Sequence, residues 1–275
     1  MQRREMKMTE EIMEVWSGEI LKNLQRATDI FEVEISCPFD TKRFSPGQFV
    51  SIAPLAQESV MSRPFSISSV HDSSFSILIK TIGKNTDLLS EMQKEQIKVW
   101  GPCGKGNPIT DLRFDELWLI GGGIGIAPLV FFNKVFSDYE KECRSGRGRV
   151  RVFYGSQSEE DLDFNLFPAD SVEYSTDDGT FGSPGKITEL FIKEIEMIRS
   201  KKITVVTCGP NIMMRQIARI CKHRDVPCFV ILEQPMACGT GICLGCSVKM
   251  KSGMKRICKD GPVFPAEEVI WDELT

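Results

Sequence analysis

Leu117-Trp118-Leu119-Ile120-Gly121-Gly122-Gly123-Ile124-Gly125-Ile126-Ala127-Pro128-Leu129 is the stretch whose reading decides the fold. Four large apolar residues in a row read as a strand buried on both faces. The glycines end it, and Leu129, Phe132, Val135 and Phe136 then recur at helical spacing. A strand, a glycine turn and a helix in that order open a βαβ unit. The alternation continues downstream. Val150 to Gly155 and Val172 to Thr176 read as strands, Lys186 to Arg199 as a helix, and Ile203 to Thr207 as a strand. Residues 113–226 are therefore expected to form a mostly parallel sheet with helices on both faces.

Glycines between a strand and a helix let backbone approach an anion while the helix end faces it. The dinucleotide fingerprint is not met, because Ile126 stands where G-x-G-x-x-G counted from Gly121 needs its last glycine. A tight structural turn is the competing reading. Thr207-Cys208-Gly209-Pro210 also falls at the carboxyl edge of the expected sheet, where ligands bind in open α/β folds. Cys208 alone reads as a packed thiol, since no histidine neighbours it. After the second strand comes Ser156-Gln157-Ser158-Glu159-Glu160-Asp161. If a nicotinamide dinucleotide binds at this edge, three acids there would repel a 2′-phosphate and favour NAD over NADP; an exposed helix start is the alternative.

Upstream, residues 1–112 read as β-rich. Phe31, Val33 and Ile35 alternate with Glu32 and Glu34, the period of a half-buried strand. Further strands are expected at Gln48–Ile52, Phe75–Lys80 and Ile97–Trp100, with Pro46-Gly47 and Gly101-Pro102 as turns. Asn85 or Thr86 can cap a short helix that turns Leu88, Leu89 and Met92 inward. Many short strands with one helix suggest a small closed barrel. Arg63-Pro64-Phe65-Ser66 and the loop Lys80 to Thr86 stand out. A helix N-terminus suits a phosphate and Arg63 adds a fork of donors. A solvated turn is the plainer account of both.

Downstream, in residues 227–275, Phe229 to Glu233 reads as the last strand and leads straight into Glu233-Gln234-Pro235-Met236-Ala237-Cys238-Gly239-Thr240-Gly241-Ile242-Cys243-Leu244-Gly245-Cys246. Cys258 follows after a gap of eleven residues, in Lys255-Arg256-Ile257-Cys258-Lys259-Asp260-Gly261-Pro262-Val263-Phe264. C-x4-C-x2-C with one distant cysteine is the plant-type spacing for a [2Fe–2S] cluster. Gly239, Gly241 and Gly245 would let the loop bend sharply between ligands. A structural zinc site is the competing reading, but its ligands usually come as two close pairs.

The 275 residues, 41% of them hydrophobic, suffice for two compact domains and a small appendage. The net charge is −4, with 34 basic and 38 acidic residues mixed along the chain, and no basic stripe points to nucleic acid. The N-terminus has no apolar core of a secretory signal, and the longest uncharged run, Leu117 to Phe132, is short and broken by glycine and proline. The expectation is a cytoplasmic protein, with no membrane span, whose ten cysteines stay reduced. Cys37, Cys103, Cys143, Cys221 and Cys228 lie outside any motif and read as core or surface thiols.

Arg63-Pro64-x-Ser66, Gly83 to Thr86, the glycine run, Cys208-Gly209-Pro210 and the cysteine loop, in this order, resemble the ferredoxin–NADP reductase superfamily. The resemblance implies an antiparallel Greek-key barrel that binds FAD. Arg63 would contact the pyrophosphate and Phe65 the flavin or ribityl part. Pro64, Leu78, Ile79, Lys80, Gly83, Asn85 and Thr86 would complete the site. Ser66 would hydrogen-bond near flavin N5 and is the candidate catalytic residue. Phe65 departs from the tyrosine many members carry, and Asn85 from the usual glycine. In the sheet, Gly122, Gly123, Ile124 and Gly125 would run under the pyrophosphate of NAD(H), with Cys208, Gly209 and Pro210 near the nicotinamide.

The cysteine loop with Cys258-Lys259-Asp260-Gly261-Pro262-Val263-Phe264 further resembles the electron-transfer subunits of type B dihydroorotate dehydrogenase. Asp178-Gly179-Thr180-Phe181-Gly182 fits as well. This likeness implies an oxidoreductase subunit with Cys238, Cys243, Cys246 and Cys258 as iron ligands. Its partner would be an FMN-containing dihydroorotate dehydrogenase subunit, in a heterotetramer of two of each. Two rivals stand beside it. One is a reductase of the same architecture serving a hydrogenase, a sulfite reductase or a bifurcating transhydrogenase. The other is a non-enzymatic regulator with a zinc-stapled tail.

Overall fold

The computed structural model describes residues 13–55, 62–106, 114–142, 149–198 and 202–274. The N-terminal segment, Cys143 and the expected boundary at 112/113 lie outside the described residues.

The first half is a closed six-stranded antiparallel barrel, ordered β1-β2-β5-β4-β3-β6. Its strands are β1 (Glu14–Ala27), β2 (Ile30–Ser36), β3 (Phe49–Pro54), β4 (Arg63–Val70), β5 (Ser74–Lys80) and β6 (Gln96–Cys103). That order is a Greek key: β2 pairs with β5 rather than with β3. β1 closes the barrel by bending, since Glu14 to Glu19 pair with β6 and Ile20 to Ala27 with β2. Alternate residues fill the interior: Val33 and Ile35 of β2 face Ile77 and Phe75 of β5, and all four are buried.

Helix α1 (Lys84–Glu91) crosses between β5 and β6. Its N-cap is Gly83, and Thr86 closes a capping box from inside the first turn. The expected cap at Asn85 or Thr86 is thus displaced, because the Thr86 hydroxyl reaches back to the entering backbone. Leu89 and Met92 are buried in the barrel core and Leu88 packs against it, as the spacing implied. The far end of α1 is held by Asn23 of β1. Its Nδ2 donates to the carbonyls of Leu89 at 2.9 Å, Ser90 at 3.0 Å and Met92 at 3.0 Å. Asn23→Ala leaves these carbonyls short of a donor and is expected to cost about 1–3 kcal/mol. Asn23→Asp should cost more, since a carboxylate would face the same oxygens. A thermal melt checks both, and an unshifted midpoint in either contradicts this role.

The second half is a seven-stranded sheet, ordered β10-β9-β8-β7-β11-β12-β15. It contains β7 (Glu116–Gly122), β8 (Arg149–Ser156), β9 (Val172–Thr176), β10 (Ser183–Pro184), β11 (Ile203–Cys208), β12 (Cys228–Ile231) and, later in the chain, β15 (Val263–Pro265). All pairings are parallel except β12 with β15. Helices α2 (Ala127–Glu142), α3 (Ile187–Met197) and α4 (Asn211–His223) connect the strands. The chain leaves β7 toward β8 on one side and returns to β11 on the other. Their carboxyl ends are therefore the switch point where such sheets bind ligands.

The strand expected last, Phe229 to Glu233, corresponds to β12 and is not the last: a hairpin and β15 follow it in the chain. β15 pairs with β12, Val230 opposite Phe264. The cysteine loop, the hairpin β13 (Ser247–Met250) and β14 (Gly253–Arg256), and the short α5 (Ile257–Asp260) are an insertion between two neighbouring strands of the sheet. Barrel and sheet also interlock. Leu78 of β5 belongs to the sheet core, while Phe131 of α2 belongs to the barrel core. Lys134 of α2 donates to Val70 O of β4 at 2.8 Å.

Candidate functional site

On the barrel side, Arg63 opens β4 exposed to solvent, with Nη1 donating to Ser62 O at 3.1 Å. Pro64, Phe65 and Ser66 are half-buried, and Phe65 packs against the barrel core. The neighbouring strand is committed differently. The Leu78 side chain fills the sheet core and Ile79 the barrel core. Lys80 Nζ pairs with Asp29 Oδ2 at 3.1 Å. The two apolar residues can therefore offer a ligand only backbone. The loop that follows is drawn tight by Thr86, whose Oγ1 accepts from the amides of Ile82 at 3.0 Å and Gly83 at 3.2 Å and donates to Gly83 O at 2.8 Å. Asn85 is half-buried beside it, and no atom lies within 4 Å of a Cβ placed on Gly83. The open side of this helix start is a place where an anion fits.

On the sheet side, the two glycine segments meet. Cys208 pairs with Gly121 across β11 and β7. A Cβ on Gly125 would stand 2.6 Å from Cys208 O and 2.6 Å from Gly209 Cα. Gly209 and Pro210 lie against Gly122 in turn. Gly123 differs: its φ is +55° and a Cβ there would meet nothing within 4 Å. The backbone at Gly123 is thus bare toward the crevice, while Ile124 is half-buried against the sheet core. Ile126, which broke the dinucleotide fingerprint, is fully buried with its side chain against Gly121. The turn is a 3-10 segment, Gly123–Ile126, running directly into α2, so this apolar wedge takes the place of a third glycine.

Cys208 is 1% exposed, and burial, with the Glu233 carboxylate adding to it, pushes its thiol well above the ordinary value. It is a packed thiol, as the sequence suggested. Glu233 is a residue the sequence reading passed over as the end of a strand. It follows β12 at the surface, desolvation raises its carboxyl, and its charge acts on Cys208. An acid directly after the apolar run Phe229 to Leu232 was the available signal. Of the acidic triplet, Asp161 is spent locally: its Oδ2 accepts from Ser158 N and Oγ, each at 3.2 Å. Glu159 and Glu160 remain exposed.

The four cysteines of the loop fall into two environments. Cys246 and Cys258 are buried, with sulfurs 3.2 Å apart, while Cys238 is half-buried and Cys243 exposed. Amides point at the sulfurs: Thr240 N and Cys243 N lie 3.4 and 3.5 Å from Cys238 Sγ, and Gly245 N lies 3.4 Å from Cys243 Sγ. Burial pushes the Cys238 thiol up, but donors from Thr240 and Cys243 outweigh it and bring the thiol down to about 5. Gly239 and Gly241 take φ of +67° and +81°, as the sharp bend requires. The third positive φ is at Leu244, not at Gly245. Gly245 instead lies against Cys243 Sγ.

Among the described residues, no three His, Cys, Asp or Glu side chains gather around a point that could hold one ion. Tetrahedral zinc needs four ligands around one point. A two-iron cluster spreads four thiolates over two metals, so a close pair such as Cys246 and Cys258 suits one of its irons. Thiolate donors with amides aimed at sulfur fit an iron–sulfur group.

The loop sits directly on the barrel. A Cβ on Gly239 would lie 3.5 Å from Trp100 Nε1 and 3.6 Å from Cys103 Sγ. Lys105 N donates to Gly261 O at 2.7 Å. Cys103 pairs with Phe49 of β3, which pairs with Ser66 of β4. Two strand spacings, about 10 Å, thus separate Ser66 from the strand end beneath the cysteine loop. Burial, with Cys238 adding to it, pushes the Cys103 thiol up to about 12, so it stays protonated beside the loop.

Comparison with known proteins converges on this arrangement. Residues 233–270 match the iron-sulfur cluster binding domain of dihydroorotate dehydrogenase B, and residues 16–153 match an FAD-binding domain. The dihydroorotate dehydrogenase B (NAD(+)) electron transfer subunit of Clostridium acetobutylicum is 31% identical over 255 residues, 92% of this chain and 96% of the relative. That of Desulforamulus reducens is 32% identical over 270 residues, 94% and 99% of the two chains. A solved NADH-dependent reduced ferredoxin-NADP oxidoreductase, described for flavin-based electron bifurcation, superposes with a TM-score of 0.81 at 30% identity, over 94% of this chain and 91% of that one. A ferredoxin reductase of carbazole 1,9a-dioxygenase shares the fold, with a TM-score of 0.63 at 21% identity over 78% and 67% of the two chains. No helix among the described residues is long and apolar enough to cross a membrane. The barrel, the sheet with its inset cysteine loop, and identity above 30% along nearly the whole length place this chain in the family of dihydroorotate dehydrogenase B electron transfer subunits, oxidoreductase subunits with an FAD-binding and an iron–sulfur domain.

Proposed function

We propose that this chain carries electrons between NAD(H) and a separate FMN-containing dihydroorotate dehydrogenase subunit, through FAD on the barrel and a [2Fe–2S] cluster on the cysteine loop. The observation that carries this reading is the ladder Ser66–Phe49–Cys103, which runs from the candidate flavin strand to the loop. FAD supplies the exchange between hydride pairs and single electrons. The chain supplies position. Arg63, Pro64, Phe65, Gly83, Asn85 and Thr86, with the Leu78–Lys80 backbone, hold the flavin nucleotide, and Ser66 offers a hydroxyl toward N5. Gly122, Gly123, Ile124 and Gly125 carry the NAD(H) pyrophosphate, and Cys208, Gly209 and Pro210 border the nicotinamide. Exposed Glu159 and Glu160 disfavour a 2′-phosphate, which selects NAD over NADP. Cys238, Cys243, Cys246 and Cys258 ligate the irons.

The partner meets the protein at the loop tip. Ile242, Leu244 and Met254 are 83, 60 and 63% exposed around exposed Cys243, an apolar patch of the kind that marks an interface. We place the assembly in the cytoplasm as two copies of each subunit. Co-purification with its partner, then an assay of dihydroorotate-dependent NAD+ reduction, tests the reading. An FMN subunit and about two irons per chain are expected. A second reading rests on the 0.81 TM-score to the bifurcating oxidoreductase. It is the right one if dihydroorotate gives no turnover and NADH oxidation instead needs ferredoxin and NADP+.

Arg63→Ala removes the fork of donors at the start of β4. FAD should dissociate on gel filtration, with a loss of affinity of about tenfold or more for a charge-assisted contact. Full flavin occupancy after the column would remove Arg63 from the site.

A further inference from the structure

We propose that the turn joining β1 to β2, through Thr28 and Asp29, couples the occupancy of the two nucleotide sites. The inference rests on the assignment above of FAD to the barrel and NAD(H) to the sheet. Thr28 and Asp29 are consecutive, and each bonds to a different site. Thr28 donates both its amide and its hydroxyl to Glu160 O, each at 3.2 Å. Glu160 lies in the acidic 3-10 turn Glu159–Asp161, beyond the carboxyl end of β8. On the other side, Thr81 donates its amide at 2.9 Å and its hydroxyl at 3.3 Å to Asp29 O. Thr81 enters the loop that Thr86 draws tight at the start of α1. The two junctions have the same form, one threonine giving two donors to one carbonyl.

Ion pairs flank the link on both sides. Lys80 Nζ meets Asp29 Oδ2 at 3.1 Å. Arg26 Nε lies 3.8 Å from Asp163 Oδ2, and the Asp163 side chain is 1% exposed. That oxygen has no hydrogen-bond partner, so Arg26 is its nearest compensation from the barrel. The acidic turn is also pinned on its far side, where Glu159 N donates to Thr180 Oγ1 at 2.9 Å. A path of short polar contacts therefore runs from the loop after β9, through the acidic turn and Thr28-Asp29, to the start of α1. A dinucleotide that orders the acidic turn orders one end of this path. The cost of ordering the flavin loop is then partly met, which is positive coupling between the sites.

The test uses the purified holoprotein, its FAD release on dilution followed by flavin fluorescence, with and without saturating NAD+. NAD+ should slow release by about fivefold in the native chain, within the usual range of coupling between sites. Thr28→Val keeps the size and removes the hydroxyl donor. It should release FAD without NAD+ at nearly the native rate, yet lose most of the NAD+ effect. Thr81→Val should lose the same effect from the flavin side. An undiminished NAD+ effect in both variants overturns the link, as does NAD+ that perturbs the flavin spectrum of the native protein without changing release. Absence of any NAD+ binding, seen as an unperturbed spectrum, overturns the nucleotide assignment itself and this inference with it.

Discussion

Cys243→Ser is expected to strip the iron–sulfur absorption and electron paramagnetic resonance signal from the protein while leaving FAD in place. The reason lies in where the ligands stand. Cys243 is exposed at the loop tip, and its sulfur receives one amide, from Gly245 at 3.4 Å. Replacing it withdraws a thiolate from the cluster without opening the core beneath. The flavin strand lies on the far side of Phe49 and Cys103, so its contacts are untouched. NADH oxidation by a dye that takes electrons from flavin should therefore persist, while transfer to the partner falls to background. Cys258→Ser should lose the cluster too, with an added cost. Cys258 is 3% exposed in the core formed with Phe49, Cys246 and Phe264, and a serine hydroxyl there costs about 1–3 kcal/mol where it finds no partner. The pair thus separates ligation from packing. A Cys243→Ser protein that keeps its iron and its partner activity would remove Cys243 from the ligand set.

What the sequence made legible follows burial. Leu117 to Ile120 could be read because that strand is covered on both faces, and Phe31 to Ile35 because one face is covered and the other wet. β1 could not be read this way. Its register shifts between Ile20 and Lys22, where it leaves β6 for β2, and the shift breaks the alternation of Trp16, Gly18 and Ile20. β15 was too short to carry a period: three residues complete a sheet begun far earlier. The cysteine loop was legible because ligand spacing is a local property. Glu233 acting on Cys208, Cys103 beneath Gly239 and Thr28 against Glu160 were not, since each exists only once distant strands have paired.

The glycine turn that decided the fold allows a sharp separation of structure from binding. Gly125→Ala drives a Cβ to 2.6 Å from both Cys208 O and Gly209 Cα. Both obstacles are backbone, at the end of a buried strand, so no rotamer change relieves the clash. β7 and β11 must part at the switch point. Overpacking of this kind costs about 1–3 kcal/mol, and the expected result is a lower melting temperature together with weak NADH oxidation. Gly123→Ala meets no atom within 4 Å, but its φ of +55° disfavours any side chain by about 1–2 kcal/mol. Its methyl group would project into the crevice that the dinucleotide is proposed to occupy. It should melt a few degrees below the native protein and raise the KM for NADH by about tenfold, the loss of roughly 1.4 kcal/mol of binding. Flavin and iron content should be native in Gly123→Ala, because the added Cβ meets no atom within 4 Å. If Gly123→Ala left the KM for NADH unchanged once folded, the turn would be a structural joint and the dinucleotide would have to bind elsewhere.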